Sequence, residues 1–480
     1  MKILGFLIFI FSLFITPLFS QIQLGQDIDG EAINDYSGAQ IALSADGMTI
    51  VIGADQNDGS GINSGHVRVY SYDPIANSWI PKGLDINGES SGNYCGSDVD
   101  ISDDGNTVVI GAKYDNNASG GAAGQTRVFR FISGAWVQLG MDIDGEAAFD
   151  YSGYAVSMSS DGNKVAIGST HNDGSFNDAG SVRVYQYNGS NWLLIGQDID
   201  GEAAGDHSGW SVSLSGDGNT VAIGAKDNDG NGVDSGQVRV YNFNGTSWIQ
   251  KGQDIDGKVA GDWAGFSVEI SNDGNTTIVG SPYNSDLLYQ MGHARVFQYD
   301  GTSWNQLGQD LVGEQLVDWV GWSSTISDNA STIAVGAIRN DGAGGDAGHA
   351  RVYILSGSTW VQRGSDFDAD APGDWAGHSV ALSGDGNIFA MGALNHDNYT
   401  GHVKIYSFCA NNYAGPNQLT GVENGVNDYE TDGSIESDQI IGSAAMIDYD
   451  SKTGIDLLQG FEATVGAMFH AFIDGCPGLY

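Results

Sequence analysis

Trp210-Ser-Val-Ser-Leu-Ser-Gly-Asp-Gly-Asn-Thr-Val-Ala-Ile-Gly-Ala225 reads as a β-hairpin. Alternating side chains over 210–215 predict one strand, Gly216-Asp-Gly-Asn219 a tight reversal, and 220–225 a second strand. Beyond the loop 226–236, a third strand is expected over 237–243, then an Asn244-Gly245 turn and a fourth strand running through Trp248 to Gly252. Four antiparallel strands make one blade of a propeller.

The unit recurs. Gly25-Gln-Asp-Ile-Asp-Gly-Glu31 returns at 83–89, 140–146, 196–202, 252–258, 308–314 and, degraded, 364–370, at spacings of 58, 57 and then 56 residues. Copies at this period belong to stacked architectures, because one unit cannot bury its own apolar faces. Trp79, Trp136, Trp192, Trp248, Trp304 and Trp360 mark six fourth strands and are expected in the core, whereas the seventh unit stops after its third strand. Ile22-Gln-Leu-Gly25 matches Val137-Gln-Leu-Gly140 and has no blade before it, so the N-terminus is expected to supply the missing strand and close the ring. The fold class is therefore all-β: a seven-bladed β-propeller over 21–410, closed by an N-terminal strand and followed by a small β unit over 411–480.

The glycines before each first strand (Gly38, Gly96, Gly153, Gly209, Gly265, Gly321, Gly377) and the Gly-Ala or Gly-Ser ending each second strand (from Gly53-Ala54 to Gly392-Ala393) resemble the FG-GAP, integrin-α-like propeller repeat in a bacterial, tight-hairpin form. The resemblance covers about residues 22 to 408 and implies the propeller fold. Two departures stand out. Ser, Cys, Ala or Val replaces the family's Phe before the first Gly, and a short turn such as Asp217-Gly-Asn219 replaces its calcium loop, so family-type calcium sites are not carried over to that turn. The strings Tyr429-Glu-Thr-Asp-Gly433, Asp448-Tyr-Asp-Ser451 and Phe469-His-Ala-Phe472 resemble stacked-strand end modules of secreted Bacteroidetes proteins; such a segment serves surface attachment or secretion, or simply caps one propeller face.

Residues 1–20 carry one charge, Lys2, then an apolar run too short to span a bilayer and a small residue, Ser20, before Gln21, which predicts a secretory signal peptide and a secreted or cell-surface protein without a transmembrane segment after cleavage. Apolar residues at 41% suffice for a folded core. Seventy-two glycines against seven prolines suit short strands and tight turns. Sixty acidic against eighteen basic residues, a formal net charge of −42, exclude nucleic acid as a partner. Of three cysteines, Cys95 is read as a small packing residue, and Cys409 and Cys476 bracket the last segment and are placed to close it.

Loops alternate between the two faces of a propeller, so the long connections gather on one side with their acid: Asp198, Asp200, Glu202 and Asp206 before the fourth unit's first strand, Asp227, Asp229 and Asp234 after its second. Asp227, Asp229, Asn231 and Asp234 place oxygen ligands at alternating positions with a Gly at the bend, as a loop wrapping calcium requires; the same pattern also describes a solvated Asx-rich turn. An aromatic or His recurs two places before the first-strand Gly: Tyr36, Tyr94, Tyr151, His207, Trp263, Trp319 and Trp375. These seven either ring the channel mouth as a platform for a glycan or a basic peptide or pack between adjacent blades. No His-Glu-x-x-His, phosphate-binding Gly loop with Lys or Cys-x-x-Cys occurs. Binding or adhesion toward a glycan or protein partner is the expected function, with a polysaccharide-active enzyme working at the channel mouth and a structural surface-layer protein as the alternatives.

Overall fold

Strand alternation and Gly-rich reversals turn each repeat into one sheet. In the fourth, Ser211–Leu214, Thr220–Ala225, Gln237–Phe243 and Trp248–Gln250 pair antiparallel in that order. The tight turn between the first two is held by Asp217, whose carboxylate accepts from the Ser215 hydroxyl (2.8 Å) and the Asn219 amide (2.9 Å), with Gly218 at φ +60°. Every residue of Thr220–Ala225 is buried, as in a strand packed on both faces.

The computed structural model describes residues 21–408 and, further along, the strands between Asn417 and Phe472. The expected signal peptide at 1–20 and the expected Cys409–Cys476 closure lie outside the described residues. Seven sheets surround a central channel, and the innermost strand of each is the first of its repeat. Blades carry five strands, one more than expected: after Gly252 (φ +80°), the chain doubles back and Ile255–Asp256 pairs with the start of the third strand, Val238 facing Ile255. Ile255 is buried, so the Ile of the recurring Gly-Gln-Asp-Ile-Asp-Gly-Glu segment is a core anchor inside what the sequence presents as a connection.

Ring closure is as expected. Ile22–Gln23 pairs antiparallel with His402–Ser407, Ile22 opposite Ser407, and the Leu24 amide donates to the Ile405 carbonyl at 2.8 Å. Leu24 is fully buried, and Ile28–Asp29 adds the seventh blade's fifth strand. No Trp precedes this closing strand; Gln21 stands there instead and bonds to Ser365.

The core is shared between neighbours. Val182, Val184 and Ile199 of one blade pack with Val212, Leu214, Ile223 and Trp248 of the next. The six fourth-strand tryptophans act as clasps: each indole N–H donates to a carbonyl of the preceding blade's outer strand, from Trp79 to Leu24 (2.8 Å) through Trp360 to Leu307 (2.9 Å). Five are buried and Trp136 is half-buried. Beyond the propeller, Asn417–Leu419, Ile435–Ser437 and Ile455–Leu457 pair parallel and in register, and two further sets of three strands do the same, ending in Met468–Phe472.

Candidate functional site

The inner strands enclose a cavity of about 610 Å³, with a smaller space of about 110 Å³ at the end formed by the tight turns. That narrow end is closed by backbone alone. The amides of Ala45, Asp103, Ser160, Gly216, Asn272, Asp328 and Gly384 each donate to the carbonyl of the next residue in this series, and Gly384 returns to Ala45, giving a seven-membered ring at 2.9–3.2 Å. Further up, inner-strand side chains cross to the next blade: Ser157 and Ser213 accept from the Leu214 and Ile270 amides, Asp98 and Asp100 from Val156 and Met158, and Glu269 from Ile326. Burial pushes these carboxyls up, Asp98 to about 7, Asp100 to about 6 and Glu269 to about 8, against the pull of those same hydrogen bonds.

The wide mouth differs from blade to blade. The residue after each first-strand Gly is Ala39, Ser97, Tyr154, Trp210, Phe266, Trp322 or His378. The last five form a continuous arc on the channel wall, with successive ring centroids 4.7, 5.7, 4.6 and 5.7 Å apart. All five are half-buried. Lys226 Nζ sits over both Trp210 (4.2 Å) and Trp263 (4.4 Å), and Lys113 Nζ lies over Tyr154 at 5.2 Å. His378 is held neutral, pushed down to about 4 by burial, while its Nδ1 bonds to the Ala39 carbonyl (3.1 Å).

The seven residues singled out by sequence form a second tier around this arc. Tyr36, Tyr94, Tyr151, His207, Trp263, Trp319 and Trp375 are all half-buried and all adopt φ between 51° and 59°. Six of them, all but Trp375, meet a side chain of a loop that follows a second strand, as in packing between adjacent blades. Tyr94, Tyr114, Tyr151, His171 and His207 make one chain of ring contacts, and Trp263, Tyr283 and Trp319 another. Trp263 and Trp319 also stack on the inner arc, against Phe266 and Trp322, and the buried Trp319 Nε1 has no hydrogen-bond partner.

Glycine does a specific job beneath this mouth. A Cβ on Gly224 would lie 2.1 Å from the carbonyl oxygen of Gly265 on the next blade, and the same approach, within 2.0–2.4 Å, joins all seven second-strand glycines to all seven first-strand glycines. Residues 199–241, which span one such unit, match the family model for the FG-GAP repeat. One repeat of this seven-bladed propeller is thus similar to the FG-GAP repeat. No curated protein matches it. Among the described residues no helix is long and apolar enough to cross a membrane.

Acid on the long-loop face of this propeller is largely engaged. Asp206 is buried, accepting from the Ala203 amide (2.9 Å) and Asn228 Nδ2 (3.1 Å), and buried Asp–Asn pairs recur at Asp35–Asn57, Asp150–Asn172 and Asp262–Asn284. Glu202 faces Arg239 at 3.5 Å, as Glu31, Glu89 and Glu146 face Arg68, Arg127 and Arg183. Of the expected calcium ligands, Asp227 bonds to His207 Nδ1 (2.7 Å) and to Lys226. Burial raises its carboxyl, but those two bonds outweigh burial and hold it below the ordinary range. Asp229 accepts from the Asp234 amide (2.9 Å), and Asn231 Nδ2 donates to the Gly257 carbonyl (2.9 Å). Cys95 is fully buried, its thiol pushed up by burial.

The arc at Tyr154, Trp210, Phe266, Trp322 and His378 was missed by sequence reasoning. Its signal was available: aligning the repeats on the first-strand Gly exposes one position where small residues in two blades give way to rings in five.

Proposed function

We propose that this propeller is a secreted or cell-surface adhesion module that binds a glycan at the wide mouth of its channel. The observation that carries the reading is the aromatic arc confined to five of the seven blades. A structural role needs seven equivalent groups, whereas a ligand needs one asymmetric set. Half-buried ring faces beside a cavity of about 610 Å³ suit the apolar C–H face of a sugar, with the polar walls serving its hydroxyls. Cationic peptides fit less well, because Lys226, Lys113 and Arg339 already occupy ring faces from within the chain.

The test is a glycan array probed with residues 21–480, in calcium and in chelator, followed by calorimetry on the best hit. Trp322→Ala and Trp210→Ala are each expected to weaken binding about tenfold or more, as central aromatic anchors do. Unchanged affinity in both variants overturns the reading. Capture of proteins alone moves the partner to a polypeptide, self-association without a ligand moves the protein to a structural surface layer, and turnover of a glycan lost in Asp98→Asn moves it to an enzyme. Calcium enters this reading only through the loop of Asp227, Asp229, Asn231 and Asp234. Binding or melting that depends on calcium and loses that dependence in Asp229→Asn assigns the ion there; superimposable curves leave the loop a hydrogen-bonded turn.

A further inference from the structure

The seventh blade replaces the Asn of the buried Asp–Asn pair with an imidazole. It carries His396 where Asn57, Asn172, Asn228, Asn284 and Asn340 stand in others, and its partner is Asp374, 3.0 Å from His396 Nδ1. The third strand of that blade begins with His402, whose ring lies alongside His396 with centroids 3.9 Å apart and planes at 22°. Asp370, on the connection into the seventh blade, completes a group whose three ligand atoms all lie within 4.8 Å of one another. The loop carrying His396 is shorter than its counterparts, and Asp397, Asn398 and Tyr399 are three consecutive non-glycine residues at positive φ.

A second observation points to a ligand. His402 is 2% exposed, yet its Nδ1 has no hydrogen-bond partner and only the Asp27 carboxylate, 4.0 Å away, faces it. An orphaned imidazole nitrogen at this depth is an unmet cost that a bound cation relieves. We propose that His396, His402 and Asp370 form a binding site for a divalent transition metal ion of the zinc class, with Asp374 as the outer carboxylate that orients His396. Two imidazoles and one carboxylate are a donor set for such ions and leave a coordination position open. Donation of Nδ1–H to Asp374 leaves Nε2 of His396 for the metal, the usual outer support of a metal-binding imidazole. His396 is partly exposed, which gives the ion a route in.

Lys404 is the competitor, since its Nζ bonds to Asp370. Metal displaces it toward Asp27, already 3.8 Å away. The groups at Glu31, His66 and Asp85 and at His349, Asp366 and Asp368 also bring three donors together. Each has a single imidazole, and Arg68 and Arg351 face their carboxylates, so they serve as internal controls.

The experiment is calorimetric titration of residues 21–480 with zinc, with cobalt absorption as a second readout. One equivalent is expected to bind, with visible cobalt bands. His396→Asn restores the residue five other blades carry, so the blade keeps its fold while the site loses a ligand, and affinity is expected to drop by more than tenfold. Asp374→Asn is expected to cost about 10–100-fold, and Lys404→Met to tighten binding. No uptake by the unmodified chain, wild-type affinity in His396→Asn, or uptake abolished by His66→Gln instead overturns the proposal.

Discussion

Replacing Glu269 with Gln should leave the protein nearly unchanged in mild acid and make it more stable in mild base. Glu269 lies on an inner strand with its carboxyl in the channel wall, accepting from the Ile326 amide at 2.8 Å. Burial raises it from an ordinary 4.5 to about 8. Between those values the folded chain holds a proton that the unfolded chain releases, so stability falls as pH rises through the window; the contribution is complete below about 4.5 and lost above about 8. Three and a half pH units at about 1.4 kcal/mol each set a ceiling of about 5 kcal/mol, and because the side chain borders an open channel, about 2–5 kcal/mol is the expected range. Gln keeps an acceptor for Ile326 and carries no charge to bury. Urea midpoints followed by Trp fluorescence at pH 5 and pH 9 measure the difference: wild type and Glu269→Gln should coincide at pH 5, and the variant should be the more stable at pH 9. Asp98 and Asp100 act in the same direction and leave the variant a residual slope. An equal gap between the two proteins at both pH values would refute the reasoning, because it would mean that Glu269 is ionised throughout or that Gln repacks the wall.

Two further substitutions probe how the ring is held. Leu24→Ala on the closing strand should cost about 2–5 kcal/mol for a fully buried leucine and speed unfolding more than Leu139→Ala, its counterpart inside the ring, as read by urea-jump fluorescence; equal rates would show that the seam is not where opening begins. Gly224→Ala places a methyl 2.1 Å from the Gly265 carbonyl oxygen and 2.4 Å from Ser211 Oγ, so it should destabilise by about 3 kcal/mol or more, and a melting temperature within a degree of wild type would contradict the close blade contact.

Period, hairpin signature and the displaced strand at 22–25 made the architecture legible, because a β-strand's alternation and a Gly turn are local properties. The strand at Ile255–Asp256 was hidden because two residues carry no periodicity; the burial of Ile255 comes from its partner Val238 and the neighbouring blade. Asp206 was read as surface acid for a similar reason. It and Glu202 look alike in sequence, but Asp206 is buried against Asn228 whereas Glu202 is exposed and pairs with Arg239 across a blade boundary. Tyr36 and its counterparts were found because they recur, whereas Trp210, Phe266 and Trp322 do not, and a search for what the repeats share passes over them.

That contrast separates what every repeat supplies from what single blades vary. At the narrow end seven amides and seven carbonyls close on one another, a contact made by backbone and therefore indifferent to side chain: Ala45, Asp103, Ser160, Gly216, Asn272, Asp328 and Gly384 all serve. The glycine pairs one layer out admit no side chain in any blade. Stability thus rests on groups that every repeat supplies, and the wide mouth is left free to vary. It varies in one sector: rings from the third blade through the seventh, Ala39 and Ser97 across from them. A propeller whose mouth served only packing would fill that position alike all round, since each blade meets its neighbour at the same angle. Rings in five blades, with Ala39 and Ser97 in the other two, therefore break at this one level the symmetry that the amide ring and the glycine pairs keep.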